Sequence, residues 1–278
     1  MLSLSRKPVV PVLRLYGQIG MPSAMKSGLT MANTASAIEK AFSLSKTPSV
    51  AIQINSPGGS PVQSHLIFKR IRQLAEEKKK TVYVFCEDVA ASGGYFLAVA
   101  GDEIHADPSS IIGSIGVISA GFGLDKAIEK LGIERRVYTA GTSKGALDPF
   151  LPEKPDDVAR LKAIQGDVHE TFVSIVKNRR GARLTQTDPD LFTGAFWSGV
   201  RARELGLVDG HADVRSRMRE LHGDKVRLRV VTVGQGGLLS RLRRLPGLRS
   251  ASATIEPSIA EDVMATLDAR AIWSRYGL

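Results

Sequence analysis

A strand–turn–helix pattern in Val82–Ala100 limits most strongly what this chain can fold into. The run Val82–Phe85 is apolar and β-favouring, a short polar turn leads to Ser92-Gly93-Gly94, and an apolar segment follows. We expect Ser92 to lie at the start of a helix, where backbone N–H groups lack partners and can stabilise a developing negative charge. Ser92 can then be a nucleophile beside its own oxyanion donor. Alternatively, Ser92 only caps the helix and the glycines only permit close packing.

Strand-like and helix-like segments alternate along most of the chain. The strand Ser49–Ile54 runs directly into Asn55-Ser56-Pro57-Gly58-Gly59, and the amphipathic helix Val62–Lys78 follows. The glycine pair either exposes N–H groups to a ligand or forms a plain turn. The alternation predicts an α/β fold with right-handed crossovers and a largely parallel sheet. Further predicted strands are Val9–Tyr16 (at a sheet edge or strand start because of Pro11), Glu103–Ala106 and Arg135–Thr139, and further predicted helices are Thr34–Lys46, Leu124–Leu131 and Pro155–Arg180.

The composition is that of an ordinary globular protein of 278 residues, with 43% hydrophobic and 24% charged residues. Cys86 is the single cysteine, which excludes an intrachain disulfide and a cysteine-based zinc site. We see no metal-ligand cluster and expect no cofactor. The sequence has neither an uninterrupted apolar h-region nor a window of about 20 apolar residues, so it predicts a cytoplasmic protein without a secretory signal or a membrane-spanning helix.

A formal net charge of +10 is compatible with an anionic partner, either nucleic acid or an acidic membrane surface. The basic residues lack interleaved aromatic residues, so we expect no nucleic-acid partner. The segment Leu238–Leu245 has leucines on one helical face and arginines on the other, which is typical of a helix that lies on an anionic membrane or packs on a neighbouring subunit. We predict a main domain of residues 1–214 and a basic appendage of residues 215–278 for oligomerisation or peripheral membrane contact, with a tail helix over Ala251–Leu278. Flotation with anionic liposomes measures such membrane contact.

A hydrolase needs a base for its nucleophile, and histidine is the usual one. None of the five histidines lies in a glycine-rich turn or opposite an evident acidic orienter, so no Ser/His/Asp triad is predicted. Lysine can replace histidine where burial leaves its amine neutral. Lys144, in the small-residue loop Gly141–Gly145, is the candidate, although an exposed loop lysine is the ordinary interpretation of such a residue taken alone.

Five short motifs follow one another along the chain. They are Ser-Pro-Gly-Gly at 56–59, Ala-Ser-Gly-Gly-Tyr at 91–95, Gly-Ser-Ile-Gly-Val at 113–117, Gly-x-x-Lys at 141–144 and Ala-x-x-x-Gly-Leu-Val-Asp at 202–209. In this order they resemble the S49 peptidases, the family of signal peptide peptidase A and SohB. The resemblance spans roughly Val9–Gly210. Each motif alone is weak, and the combination is specific.

The resemblance assigns roles to five residues. Ser92 matches the family's nucleophile and Lys144 matches its general base, forming a Ser/Lys dyad. Ser114 matches the serine that orients the lysine, and the backbone N–H groups of Gly59 and Gly93 match the oxyanion donors. The neutral lysine would take the serine proton, the serine would attack a peptide carbonyl, and the two N–H groups would hold the resulting oxyanion.

The resemblance also implies an α/β fold of the ClpP/crotonase type, which is a spiral of ββα units. It implies a homo-oligomer that cleaves hydrophobic peptides such as signal-peptide remnants and needs no cofactor. Two features depart from the family pattern. Gly145 follows Lys144 where relatives often carry an acidic residue, and the usual N-terminal membrane anchor is not seen. Any contact with a membrane is therefore expected to be peripheral.

Two other functions remain open from the sequence. A crotonase-type enzyme acting on acyl-CoA would use the same two glycine donors but would need neither a nucleophilic serine nor a lysine. A catalytically silent peptide-binding scaffold would keep the fold, and Gly145 is its main support. We expect an active serine endopeptidase, because the nucleophile, base, orienter and both donors are all present.

Overall fold

Eight strands form one sheet in the computed structural model, which describes residues 7–20, 28–185, 189–234, 271 and 273–277. Every pair of described strands is parallel except β5 with β6, so the predicted α/β fold with a largely parallel sheet is confirmed. The strands are β1 (Val9–Tyr16), β2 (Ser49–Ser56), β3 (Thr81–Ala91), β4 (Glu103–Ala106), β5 (Ile111–Gly113), β6 (Phe196–Ser198), β7 (Gly210–His211) and β8 (Arg227–Thr232).

Strand β3 is the branch point of the sheet. One side of β3 pairs with β2, and its other side pairs first with β4 and then, over Val89–Ala91, with β5. The sheet continues from β4 to β7, and its longest path has the order β6-β5-β3-β2-β1-β8. The carboxyl ends of β3 and β5 therefore lie side by side, which places the residues that follow them close together.

Strand β1 is internal, and the prediction of an edge position for it is wrong. It lies between β2 and β8, with Pro11 opposite Arg229 of β8. Pairing with β2 begins only at Val12, so the proline precedes that ladder and removes no hydrogen bond from it. Strand β8, which pairs with β1 on the side away from β2, lies beyond residue 215. The sequence does not predict this pairing.

The helices begin and end where local signals place them. Ser60 accepts the Gln63 N–H at the start of α2, next to Pro61 in its first turn. The predicted helix Pro155–Arg180 is confirmed, with Pro155 at its start and Gly181 at its end. The helices are α1 (Met31–Ser43), α2 (Pro61–Glu77), α3 (Gly93–Ala98), α4 (Asp125–Lys130), α5 (Pro155–Arg180), α6 (Gly199–Glu204) and α7 (Val214–His222), and a short 3-10 helix spans Gly181–Arg183.

Both faces of the sheet are buried. The larger core lies on one face and includes Val84 of β3 together with side chains of α1, α2, α3 and α5. The smaller core lies on the opposite face, where Phe85 of β3 and Met218 of α7 belong to one cluster. Successive residues of a strand point to opposite faces, so a strand covered on both faces reads as the continuous apolar run seen in the sequence.

Residues beyond 215 contribute to this sheet as far as the structure describes them. Helix α7 buries Met218, and β8 pairs with β1 along its whole length. The division of the chain between residues 214 and 215 stays a prediction. The predicted helix Leu238–Leu245 and most of the predicted tail helix lie outside the described residues. No helix in the described part of the chain combines the length and apolar character needed to cross a bilayer.

Residues 117–154 form a segment without a buried residue, which we call the arm. The arm contains α4 and is held together by its own contacts, such as the Leu124 N–H to the Pro149 carbonyl and an ion pair between Arg135 and Asp148. The strand predicted over Arg135–Thr139 is wrong. A run of β-favouring residues forms a strand only where a neighbouring strand is available for backbone hydrogen bonding. The arm contains no strand that could pair with this run.

A buried ion pair joins α5 to the turn that follows α6. The Arg180 side chain is 1% exposed and donates to both carboxylate oxygens of Asp209, at 2.9 and 3.0 Å. Asp209 also accepts the Ile104 N–H of β4 at 2.7 Å. Burial alone would raise the pKa of Asp209, but the hydrogen bonds and charge of Arg180 outweigh it and hold that pKa below its ordinary value. The Ala-x-x-x-Gly-Leu-Val-Asp motif thus fastens α5 to the sheet.

We expect Arg180→Met to lower the free energy of unfolding by about 3–5 kcal/mol at neutral pH, because it leaves Asp209 largely buried without its main partner. The pKa of Asp209 is lowered in the folded state. The contribution of the pair is therefore present above the ordinary carboxyl pKa of about 4 and is lost as the pH falls below it. Urea unfolding at neutral and acidic pH measures both effects. Arg70→Met, which breaks the more exposed Arg70–Glu39 pair, is the control and should cost less than about 1 kcal/mol. Equal losses in the two variants would contradict the assignment.

Candidate functional site

Ser92 lies in a strained turn between β3 and α3. Its φ of 52° and ψ of −123° are rarely adopted by residues that carry a side chain. Its N–H donates to the Gly113 carbonyl at 2.8 Å, and its carbonyl accepts the first α3 hydrogen bond, from the Phe96 N–H. Ser92 is the N-cap residue of α3, but its side chain makes no capping hydrogen bond, so the hydroxyl is not used to cap the helix. A strained strand-to-helix turn of this kind can present a serine hydroxyl for nucleophilic attack.

The two glycine-rich turns meet at Ser92. A Cβ atom added to Gly58, whose φ is +100°, would lie 2.7 Å from the Gly93 nitrogen and 2.8 Å from the Ser92 Cβ. The neighbouring Gly59, with φ of +140°, forms a bridge with Ile19, and an added Cβ would collide with the Ile19 carbonyl. Only glycine fits both positions, because a side chain would separate the turns.

Two backbone donors near Ser92 are unused. Among the hydrogen bonds of the described residues, neither the Gly59 N–H nor the Gly93 N–H has an acceptor. The N–H of Gly93 belongs to the first turn of α3, where helical geometry supplies no acceptor. Gly93 is buried, and buried N–H groups without partners are uncommon in folded proteins, whereas Gly59 is an exposed residue. These two donors can therefore bind an oxygen atom that carries developing negative charge.

Ser114 comes directly after β5, and Ser92 comes directly after β3, the strand that pairs with β5. Ala91 of β3 and Gly113 of β5 are register partners, so the two serines come directly after adjacent residues in the sheet. Ser114 also has a φ of 52°, and its N–H donates to the Ala195 carbonyl at 2.7 Å. Its hydroxyl oxygen accepts a hydrogen bond from the Tyr276 hydroxyl at 3.3 Å. The structure thus brings together four of the five residues predicted for the site, which are Ser92, Ser114, Gly59 and Gly93.

Lys144 lies in the exposed arm, within a turn where its N–H donates to the Gly141 carbonyl. No hydrogen bond or ion pair joins its amine to a residue in the described part of the chain. Lys144 is therefore the one predicted site residue for which the described part of the chain shows no contact with the Ser92 turn or its neighbouring strands.

Gly94 and Tyr95, which belong to the same motif as Ser92, fix the position of helix α3. A Cβ atom added to Gly94 would collide with the Ser56 carbonyl at the end of β2, so this close approach requires glycine. The fully buried Tyr95 donates its hydroxyl to the Leu207 carbonyl at 2.8 Å, and burial raises the pKa of that hydroxyl. The Ala-Ser-Gly-Gly-Tyr motif is thereby connected to the Gly-Leu-Val-Asp turn, and this connection holds the Ser92 turn in place.

None of the five histidines contacts Ser92 in the part of the chain that the structure describes. His65 packs between Phe68 and Phe96, and burial lowers its pKa. The others contact Phe85 and Glu103 (His105), the Ile115 carbonyl (His169), the Ala106 carbonyl (His211) and the Ser49 hydroxyl (His222). None of these contacts involves Ser92. The described residues also contain no group of three His, Cys, Asp or Glu side chains placed to hold a metal ion.

Two contributors to the site are not identified by sequence reasoning. The sequence marks Gly58 only as half of a glycine pair, although its backbone, more than that of Gly59, contacts the Ser92 turn. Tyr276 lies two residues from the end of the chain, and no motif marks it. Only its position in the folded chain reveals it, because nothing in sequence spacing relates it to Ser114.

Two family models match the chain. The S49 peptidase family model matches residues 74–226, and the Clp protease family model matches residues 24–111. The first match includes Ser92, Ser114 and Lys144, and the second includes the glycine pair before α2 and Ser92.

Curated relatives cover the chain to different extents. A protein of Brucella abortus with the name Na(+)/H(+) antiporter NhaA is 52% identical over 275 residues, which are 97% of this chain and 37% of that protein. That name is at odds with the two family matches. The chloroplastic serine protease SPPA of Arabidopsis thaliana is 33% identical over 170 residues, which are 59% of this chain and 24% of that protein. The chain thus spans well under half the length of these relatives.

A solved structure of a mutant 1510-N membrane-bound stomatin-specific protease aligns with 81% of this chain and 98% of its own, with a TM-score of 0.49 and 16% sequence identity. The S49 model extends over more than half of the chain, and the Clp protease model covers the region of β2 and β3. The fold is accordingly a ClpP-like α/β fold, and the chain belongs to the S49 peptidase family.

Proposed function

We propose that this chain is a serine endopeptidase that cleaves hydrophobic or signal-peptide-like peptides with a Ser92/Lys144 dyad. The observation that carries the proposal is the Ser92 turn, where a serine on strained backbone makes no capping hydrogen bond with its hydroxyl. Beside it lie the Gly59 and Gly93 N–H groups, which have no acceptor among the described residues. Membership of the S49 family supports peptide bonds as the substrate. The proposed roles are nucleophile for Ser92, base for Lys144, lysine orienter for Ser114 and oxyanion donors for the Gly59 and Gly93 N–H groups.

The proposed reaction has two halves. The neutral Lys144 amine removes the proton from the Ser92 hydroxyl, and the oxygen attacks the substrate carbonyl. The carbonyl oxygen becomes negatively charged and accepts hydrogen bonds from the two glycine N–H groups. The lysine ammonium then gives its proton to the departing amine, which leaves an ester on Ser92. A water molecule hydrolyses this ester in the second half by the same sequence of proton transfers.

The exposed position of Lys144 makes assembly part of this mechanism. A lysine amine acts as a base only when it is neutral, which burial away from water favours. The arm that carries it also exposes large apolar side chains, since Phe122, Leu131 and Tyr138 are 77%, 72% and 91% exposed. A second copy of the chain would cover these side chains and would receive the arm beside its own Ser92. The proposed active form is therefore a homo-oligomer in which one protomer supplies Lys144 to the Ser92 of its neighbour.

A catalytically silent peptide-binding scaffold is the second candidate. It is favoured by the same exposure of Lys144 and by Gly145, because neither is typical of a preformed lysine base. The crotonase-type alternative on acyl-CoA would use the glycine donors alone and leave Ser92 without a function. The three functions differ in whether Ser92 is an activated nucleophile.

Labelling with a fluorophosphonate therefore tests the proposal. We expect intact-mass spectrometry of the assembled wild type to show one adduct per chain, because an activated serine displaces fluoride from phosphorus. The adduct should be lost in Ser92→Ala and in Lys144→Ala. Ser43→Ala, which removes an exposed serine of α1, is the control and should label like the wild type. A folded, assembled wild type without an adduct would support the silent scaffold or the crotonase-type enzyme instead.

Contact with an anionic membrane remains a proposal for the basic segment after β8. The exposed Arg227 and Arg229 of β8 lie at the edge of the described sheet, and most of the segment lies outside the described residues. The cytoplasmic location likewise remains a proposal.

A further inference from the structure

The end of the chain packs against the edge of the site. Tyr276 is 8% exposed and belongs to a small apolar cluster with Val89 and Ala91, the residues of β3 that lead to Ser92. Its ring meets Phe196 of β6 edge-on, with centroids 5.2 Å apart. The Tyr276 N–H donates to the Trp273 carbonyl at 2.9 Å, so a local turn presents the ring to this cluster.

The hydroxyl of this buried ring reaches the serine that is proposed to orient the lysine. Tyr276 Oη donates to Ser114 Oγ at 3.3 Å. A serine hydroxyl can accept two hydrogen bonds and donate one, so a donor from Tyr276 occupies one of its two acceptor positions. One acceptor position is then left for an N–H of Lys144, and the Ser114 side chain is held in one orientation.

Ser114 depends on this contact more than an ordinary serine would. Among the described residues its hydroxyl has no other hydrogen-bond partner, so nothing else fixes its rotation in the single chain. The side chains packed around Tyr276, which are Val89, Ala91, Ile111, Phe196 and Trp273, are apolar or carry no ionisable group, and the adjacent Arg275 is exposed. The Tyr276 hydroxyl therefore has no charged group among these neighbours to draw it away from Ser114.

We propose that Tyr276 is a positioning residue for the peptidase reaction, acting through Ser114 on the amine of Lys144. The inference rests on the proposed function. Neither family model extends to Tyr276, so this residue is a feature of this chain and not of the matched family regions. The terminal turn thereby becomes a part of the site that the main sheet does not provide.

Tyr276→Phe tests the proposal because it removes the hydroxyl and keeps the ring. We expect kcat for a hydrophobic peptide to fall about three- to ten-fold, the range that the loss of one hydrogen bond produces, with KM unchanged. Rates are expressed per active site, counted by the end-point of fluorophosphonate labelling, so that a loss of folded protein does not count as a loss of kcat. Trp273→Phe is the matched control, since it alters the same apolar cluster without touching Ser114, and its kcat per site should stay within about two-fold of the wild type.

A double-mutant cycle with Ser114→Ala shows whether Tyr276 acts through that serine. We expect Tyr276→Phe to have no further effect on kcat in the Ser114→Ala background, because the proposed partner is already absent. An undiminished effect in that background, or a wild-type kcat in Tyr276→Phe, would overturn this inference while leaving the proposed function intact. A wild type that neither labels at Ser92 nor cleaves peptide would overturn the proposed function, and this inference with it.

Discussion

Ser92→Ala is expected to reduce kcat for hydrolysis of a hydrophobic peptide by at least about a thousand-fold, because the residue that forms the covalent bond to the substrate is removed. Lys144→Ala should have an effect of the same order, since without a base the serine keeps its proton at neutral pH. The double variant should be no worse than either single variant, because the two side chains act as one unit. The measurement is the initial rate of cleavage of a fluorogenic peptide by the assembled protein.

Two controls make this loss interpretable. The far-ultraviolet circular dichroism and the oligomeric state of each variant should equal those of the wild type, because Lys144 is exposed and the Ser92 hydroxyl makes no hydrogen bond among the described residues. Lys154→Ala changes a lysine at the end of the same arm and should leave the rate nearly unchanged. If Ser92→Ala retained the wild-type rate while folded and assembled, Ser92 could not be the nucleophile, and the proposed function would be wrong.

Mixed assemblies of Ser92→Ala and Lys144→Ala protomers are expected to recover about a quarter to a half of the wild-type rate, although each variant alone is inactive. Each Lys144→Ala protomer keeps a functional Ser92, and each Ser92→Ala protomer keeps a functional Lys144. If the arm of one protomer serves its neighbour, the two intact residues meet at about one site in four of a large mixed ring and at one site in two of a mixed dimer. The measurement is the peptidase rate after the two proteins are co-expressed with different affinity tags and purified through both tags.

The control for this experiment replaces one partner by the Ser92→Ala/Lys144→Ala double variant, which can supply neither residue. That mixture should stay inactive. Absence of recovery in mixed assemblies, whose composition native mass spectrometry verifies, would show that Ser92 and Lys144 must come from one chain. The arm would then have to fold back onto its own sheet to complete the site.

The parts of the fold that depend on local signals could be predicted from the sequence. Pro155 with its two following aspartates and Gly181 define the ends of α5, and the apolar run before Ser92 defines the strand that presents it. The meeting of Ser92 with the Gly58-Gly59 turn follows from strand polarity, because the carboxyl ends of parallel neighbours lie at one edge. The four proposed site residues therefore lie close together because each comes shortly after the carboxyl end of one of three neighbouring parallel strands.

The remaining features depend on distant contacts that spacing does not encode. The run Arg135–Thr139 has β-favouring residues, but the formation of a strand depends on a partner that is absent from the arm. Pro11 lacks an N–H and therefore favours an edge position or a strand start, and the sequence carries no sign that β8 returns to cover β1. The contact between Tyr276 and Ser114 joins residues far apart in the chain, and a single tyrosine near a terminus carries no pattern.

The pairing of β1 with β8 sets the order in which this protein can be completed during synthesis. β1 leaves the ribosome before β8, and β8 is made only after the whole arm and α5 have emerged. Until then one side of β1 has unpaired N–H and C=O groups, which can pair with another nascent chain. Contacts between segments so far apart also slow folding, since a long loop must close before they form. A chaperone that shields β1 would therefore protect this protein most during translation of residues 17–226.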